Sequence, residues 1–397
     1  MGLLDAPAEV LSHFLPREIE TLLELRRDLH AHPELSWKEE RTADKLERAL
    51  TALGARDVQR VAGTGVVARL PGKEPGLPTV ALRGDIDALP IQEETGLPFA
   101  SSVSGVMHAC GHDVHATWTI GAGMLLSREP ALGDVLLVLQ PAEELGAGAR
   151  AMLDTGALDG VAAIFGGHVD RRFEVGQIVA DAGPLAASAD EFRIELVGQG
   201  AHGARPHEAA DPIVGAAALV TALQTIVSRR VDPSDAAVVS VGSIHAGTAS
   251  NVIPERAMLT GTLRATTPRT RALLRAEVQR LAETVAATHR LTMTVTLPEG
   301  TPPVVNDSKA AATARAAAAS LVGERNVVPF GLTNMGGEDF AYYQERFPGC
   351  FIRVGAREPG GERTPAHSPR FTVAEGAIFV GAAVLAECAR QASDTLG

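Results

Sequence analysis

The densest run of reactive side chains in this 397-residue chain is Met107-His108-Ala109-Cys110-Gly111-His112-Asp113-Val114-His115. Cys110 and His112 cannot share a face of an α-helix, where residues two apart point to nearly opposite sides. From a loop they can aim at one point, and Gly111 supplies the backbone freedom. Other polar groups stand just beyond short apolar runs. Asp85 and Asp87 follow Thr79 to Arg83, Glu143 and Glu144 follow Asp134 to Leu139, and His168 follows Val161 to Phe165. His367 comes a short loop after Cys350 to Val354. Any one of these has a duller reading as a hydrogen-bonded structural group or a solvated turn. Their recurrence at strand ends favours convergence. One Cys, three His and one Glu (Cys110, His112, His168, His367 and Glu144) exceed what a single four-coordinate ion needs. The donor set suits Zn, Mn, Co or Ni better than Mg or Ca. Two divalent ions would use all five and leave a bridging place for water.

The elements that must position these groups follow from hydrophobic periodicity. Residues 16–53 read as helical, with a break at Pro33-Glu34, and helical spacing recurs at Ala116 to Ser127 and Ala147 to Asp154. Short apolar strands alternating with helices predict an α/β layer fold with a mostly parallel sheet flanked by helices. In such sheets ligands gather beyond the carboxyl ends of the strands. Between about Ala187 and Gly300 the rhythm becomes β-α-β-β-α-β, the order of a ferredoxin-like α+β sandwich. The expected division is therefore residues 1–186 and 301–397 as a metal-binding catalytic domain, with 187–300 inserted.

Charge and composition exclude other classes. The net charge is −12, with 36 basic and 48 acidic residues, and no basic cluster exceeds pairs such as Arg229-Arg230, so nucleic acid is not an expected partner. Residues 187–300 hold 11 Arg, no Lys and 11 acids, which leaves the whole excess on the outer segments. No apolar run approaches a membrane span, and Met1 to Arg17 lacks the pattern of a secretory signal, so a cytoplasmic protein is expected. Three cysteines fit a reducing compartment; Cys350 and Cys388 read as core residues. His108, Asp113 and His115 read as supporting groups around the ligands. His30 and His32 read as helix-terminus residues, and Trp37 and Trp118 as packing.

Nearly the whole chain, from about Leu25 to Ala389, resembles the aminoacylase, hippurate hydrolase and auxin-conjugate amidohydrolase branch of the co-catalytic, dinuclear metallopeptidases that include carboxypeptidase G. The resemblance is carried by Asp28-Leu29-His30-Ala31-His32-Pro33-Glu34-Leu35, Asp85-Ile86-Asp87-Ala88-Leu89-Pro90, the Cys110-to-Asp113 cluster and Gln140-Pro141-Ala142-Glu143-Glu144. Ala201-His202-Gly203 through Pro206-His207, Asn251-Val252-Ile253-Pro254 and Gly337-Glu338-Asp339-Phe340 complete the set. It implies that Cys110, His112, Glu144, His168 and His367 hold the metals, that Glu143 is the general base and that Asp87 orients a ligand. Asp85, where other branches have His, is not expected to ligate. The insert becomes a lid and dimerisation domain; His202 and Asn251 match residues that reach an active site across the dimer, and Arg264 matches a basic residue near the substrate carboxylate. The implied activity is metal-dependent hydrolysis of the amide of an N-acyl amino acid, a small-molecule substrate, by a homodimer or larger homo-oligomer. Two departures bear on substrate choice: Gly337 stands where Ser is expected, and Asp170-Arg171-Arg172-Phe173 replaces an aromatic, Pro-containing stretch after His168.

Rival readings separate on particular residues. No Gly-x-Ser-x-Gly elbow is present for a serine hydrolase, and a Cys110 nucleophile leaves Glu143, Glu144, His168 and His367 without work. A metal-binding scaffold without turnover has no use for a spare base at Glu143. An N-carbamoyl amino acid amidohydrolase or a dipeptidase uses the same metals and is not separable by sequence.

Overall fold

The apolar runs that end in polar clusters are the parallel strands of one sheet. The computed structural model describes residues 4–332 and 334–396. At the centre of the sheet, Val135–Gln140, Thr79–Asp85, Val161–Glu174 and Gly349–Arg357 lie side by side, all parallel. The antiparallel hairpin Arg56–Val61 and Gly65–Leu70 extends one edge, and the two-residue strand Ile178–Val179 closes the other. Every residue of Val135–Gln140 is buried, as expected of a strand covered on both faces.

Helix His112–Arg128 packs on this sheet and is buried on nearly all sides, with helix Gly376–Leu396 against it. Two glycines allow the approach. A Cβ on Gly84 would lie 2.5 Å from the His115 carbonyl oxygen, and one on Gly381 would lie 2.3 Å from the Trp118 ring. Trp118, fully buried, is a packing residue. Trp37 is not: it is 40% exposed, with a left-handed backbone at φ 64°.

The chain divides into two compact units. The smaller comprises Pro184–Val305 together with Leu332–Glu338, and the rest forms the larger. The boundaries thus fall slightly outside 187 and 300, and a loop that the sequence assigned to the outer segment joins the smaller unit. Its sheet order is Ala237–Ala246, Arg256–Ala265, Asp190–Val197, Thr292–Thr296, antiparallel throughout. Helices Pro212–Arg229 and Pro268–Thr288 cover one face, giving a core with Ile194, Leu219, Leu259, Leu274 and Leu281. That is the ferredoxin-like arrangement read from the β-α-β-β-α-β order. Chain entry and exit are tied together: Ala189 pairs with Thr301, and the buried Asp190 carboxylate accepts from Arg271, Arg275 and the Gly300 amide.

Candidate metal centre

In the larger unit, side chains from the start of helix His112–Arg128 and the loop before it, from the loop after Val135–Gln140, from the loop after Gly349–Arg357 and from mid-strand His168, which was expected just past a strand end, meet at one place. Cys110, His112 and His168 place one ligand atom each within 4.8 Å of one another, and so do Cys110, Glu144 and His367. Cys110 belongs to both groups. Glu143 joins His112 and Glu144 in a third. The Cys110-Gly111-His112 turn is possible because Gly111 adopts φ 90°, and a Cβ there would meet Val169 Cγ2 at 2.5 Å.

Hydrogen bonds set which ring nitrogen each histidine offers. His112 Nδ1 lies 3.0 Å from Asp87 Oδ1, and His168 Nδ1 lies 2.7 Å from the Val169 carbonyl oxygen. A carbonyl only accepts, so His168 Nδ1 carries the proton and leaves the Nε2 lone pair, 3.2 Å from Cys110 Sγ. The backbone amide of His367 donates to the Ala109 carbonyl at 2.8 Å, tying this ligand loop to the Cys110 segment, and its ring Nε2 lies 3.5 Å from Glu144 Oε1.

The residues fit a pair of divalent cations. Among the described residues, His112 Nε2 and Glu144 Oε1 are buried and have no hydrogen-bond partner, a costly condition for polar atoms that a cation would relieve. Burial, helped by Glu144, pushes the Cys110 thiol well above its ordinary range. A thiolate there needs a compensating positive charge, which a bound metal provides. Burial alone would lower His112, but Asp85 and Asp87 reverse this and raise it. Thiol, imidazole and carboxylate together favour Zn-like ions.

Around these clustered side chains runs a buried polar frame. Asp87 Oδ2 accepts from Ser36 Oγ at 2.7 Å and from the Glu144 amide at 3.0 Å, so one carboxylate fixes both His112 and Glu144. Despite burial, the His112 contact holds the Asp87 carboxyl below its ordinary range. Arg83 is fully buried and reaches Asp85 at 2.6 Å, Gln140 at 2.8 Å and Asp339 at 3.0 Å. Asp339 also accepts from Gln140 Nε2 and the Ala149 amide, which makes this residue a lock on the segments either side of Glu143. Asp113 lies against Arg26 and His30 rather than the ligands, and His30 Nε2 reaches Glu93 at 3.2 Å.

Sequence reasoning missed Glu39 and Ser36. Glu39 is buried, with Oε1 accepting from the Ala142 amide at 3.0 Å and Oε2 from Thr64 Oγ1 at 2.6 Å. It holds the turn before Glu143, where Ala142 sits at φ 50°. No local pattern marks it, since its partners are 25 and 103 residues away.

His202, Asn251 and Arg264 lie in the smaller unit. His202 pairs with Val252 across a two-residue ladder, and Gly203 donates to the Asn251 carbonyl at 2.8 Å, so the first two are neighbours on an exposed edge. Arg264 is half-buried on the strand Arg256–Ala265. A Cβ on Gly337 would lie 4.0 Å from its Nη1.

Known proteins are similar to this chain over nearly its whole length. The chain is 43% identical over 372 residues to an N-acetylcysteine deacetylase of Bacillus subtilis strain 168, covering 93% of this chain and 96% of that one. It is 38% identical over 382 residues to an IAA-amino acid hydrolase of Arabidopsis thaliana, covering 95% and 86%. A solved structure from Bacillus subtilis, described as a dinuclear metal binding peptidase from M20 family, superposes with TM-score 0.84 at 39% identity, covering 96% of this chain and 99% of that one. Residues 81–391, which contain all five clustered residues, match the family model itself, and the chain belongs to peptidase family M20/M25/M40.

Proposed function

We propose that this protein is a dinuclear metal-dependent amidohydrolase that cleaves N-acyl amino acids or related conjugates to a free amino acid and a carboxylic acid. The observation that carries the reading is the pair of ligand triads sharing Cys110, with a further carboxylate, Glu143, whose Oε2 lies 3.8 Å from His112 Nε2. Cys110, His112, Glu144, His168 and His367 would hold the two ions. Bound divalent ions lower the pKa of water toward neutrality and polarise the substrate carbonyl. Glu143 then takes the proton of the attacking water and delivers it to the departing amine nitrogen. Asp87 keeps His112 and Glu144 in place during both transfers. The similar deacetylase and IAA-amino acid hydrolase support an N-acyl amino acid as substrate.

The same proposal gives the smaller unit three roles: His202 donates to the oxyanion, Asn251 contacts substrate and Arg264 reads its carboxylate. It also makes the protein a homodimer through that unit. Helix Pro212–Arg229 carries no charge before Arg229 and exposes Ile213, Val214 and Val227, and the neighbouring edge strand Ala237–Ala246 exposes Ile244. An uncharged edge beside an apolar face invites pairing with a second copy. A cytoplasmic location agrees with the free thiols at Cys110, Cys350 and Cys388.

The test is a turnover panel of N-acetyl, N-benzoyl and N-carbamoyl amino acids and dipeptides, run after chelation and after return of Zn, Mn or Co. Activity should vanish with chelation and return with metal, strongest on an N-acyl amino acid. Full activity in protein with only traces of metal would refute the metal reading; a carbamoyl or peptide preference would refute the substrate.

A further inference from the structure

Asp85, His112 and His115 also bring ligand-type atoms within 4.8 Å of one another, as if for a third ion. The hydrogen bonds around them give His115 a different use. The Val169 amide donates to His115 Nε2 at 3.0 Å, so that nitrogen holds the lone pair and Nδ1 carries the proton. Nδ1 faces Asp85 Oδ1 at 2.6 Å, and the other Asp85 oxygen accepts from Arg83 Nη1 at 2.6 Å. Both His115 nitrogens are therefore committed. The carbonyl of the same Val169 accepts from His168 Nδ1 at 2.7 Å, so the Val169 backbone is gripped by His115 on one side and steers the His168 ring on the other.

Packing leaves this arrangement no slack. The His115 ring stacks on Trp118 with centroids 4.5 Å apart and meets the His168 ring edge-on at 4.6 Å. All three side chains Asp85, His115 and Trp118 are fully buried.

We infer that His115, anchored by Asp85, is a positioning residue that fixes His168 through the Val169 backbone, and that Asp85 and His115 do not bind a metal ion. The inference rests on His168 being a ligand, as proposed above. Groups that hold a metal-binding imidazole in one tautomer tune affinity without touching the ion.

The deciding measurement is made on the intact wild-type protein labelled with ¹⁵N-histidine, metal-free and Zn-loaded. His115 should show a protonated Nδ1 and an unprotonated Nε2 in both states, while the His168 Nε2 signal moves on loading. A His115 ring nitrogen that moves to a metal-bound position overturns the inference alone. A His168 ring unaffected by Zn sinks the ligand assignment, and the positioning role with it.

Two variants give the second readout, with His115→Gln also assigning the spectrum. A Gln amide oxygen reaches the place of Nε2 and can still accept from Val169, whereas Asn reaches only the place of Nδ1. By chelator competition, His115→Gln should bind two Zn with near wild-type affinity. His115→Asn should bind one of the two about 10- to 100-fold more weakly. Wild-type affinity in a folded His115→Asn overturns the role, and the wild-type spectrum decides the matter if that variant does not fold.

Discussion

Asp87 Oδ1 stands 3.0 Å from Nδ1 of His112, and its second oxygen takes the amide of Glu144, so a single carboxylate holds both the start of helix His112–Arg128 and the loop after strand Val135–Gln140. Asp87→Ala should therefore weaken metal binding about 10- to 100-fold, the usual cost of losing a partner behind a metal ligand. Zn affinity by chelator titration checks this. Undiminished affinity would mean that His112 and Glu144 are held in place by packing alone.

The adjacent carboxylates Glu143 and Glu144 should fail in different ways. Glu143→Gln keeps shape but cannot accept a proton, and turnover should fall about 10²-fold or more with both metals retained. Glu144→Gln should lose metal, because Oε1 of Glu144 faces the ring nitrogens of His112 and His367 at 3.8 and 3.5 Å. Metal content and kcat measured together settle the assignment; metal loss in the first variant and not the second would reverse it.

The Arg264 side chain makes no hydrogen bond or ion pair among the described residues although it is half-buried. An exposed ion pair contributes at most about 1 kcal/mol, whereas a guanidinium that receives a carboxylate in two-pronged fashion discriminates strongly. Wild type should prefer an N-acyl amino acid to its carboxamide in kcat/KM, and Arg264→Ala should lose most of that preference. Arg264→Lys should already be impaired, since the fork is gone. Equal treatment of acid and amide by wild type would make Arg264 structural.

Asp190 gives a prediction about stability. Burial raises its pKa, but Arg271, Arg275 and the Gly300 amide outweigh this and depress it below the ordinary 3.8. A depressed carboxyl stabilises the fold above the unfolded-state pKa and loses that contribution as pH falls through the folded one. Asp190→Asn leaves two arginines without their partner and should cost about 3 kcal/mol near neutral pH. Denaturant unfolding should show the gap between wild type and variant closing as pH drops below 3.8. A gap independent of pH would assign the cost to packing.

Much of this was readable in the residues, for physical reasons that also mark where reading stopped. A buried parallel strand must be apolar and must end in something that stops it, so Thr79–Asp85 and Val135–Gln140 announced both themselves and the carboxylates at their ends. The strand from Val161 was expected to end at Phe165, yet it runs to Glu174. Two glycines and a charged Asp170-Arg171-Arg172 run hid it. There Asp170 and Arg172 neutralise each other, and Arg171 reaches the Thr372 carbonyl. The residues proposed as ligands stood out because few other tasks need Cys, His and Glu together. Glu39 and Ser36 stayed silent because a glutamate or serine in a loop has many uses, and only folding reveals which amide it meets.

The exposed Trp37 and its neighbourhood carry a consequence for how such an enzyme can be diversified. Ser36 grips Asp87, yet the very next side chain is open to solvent, and Leu145, directly after Glu144, is 63% exposed. On each of these two loops an exposed apolar side chain thus stands directly after a group of the site. Mutational libraries aimed at Trp37 and Leu145 can explore new shapes within one residue of the chemistry without touching a ligand or its hydrogen-bonded support.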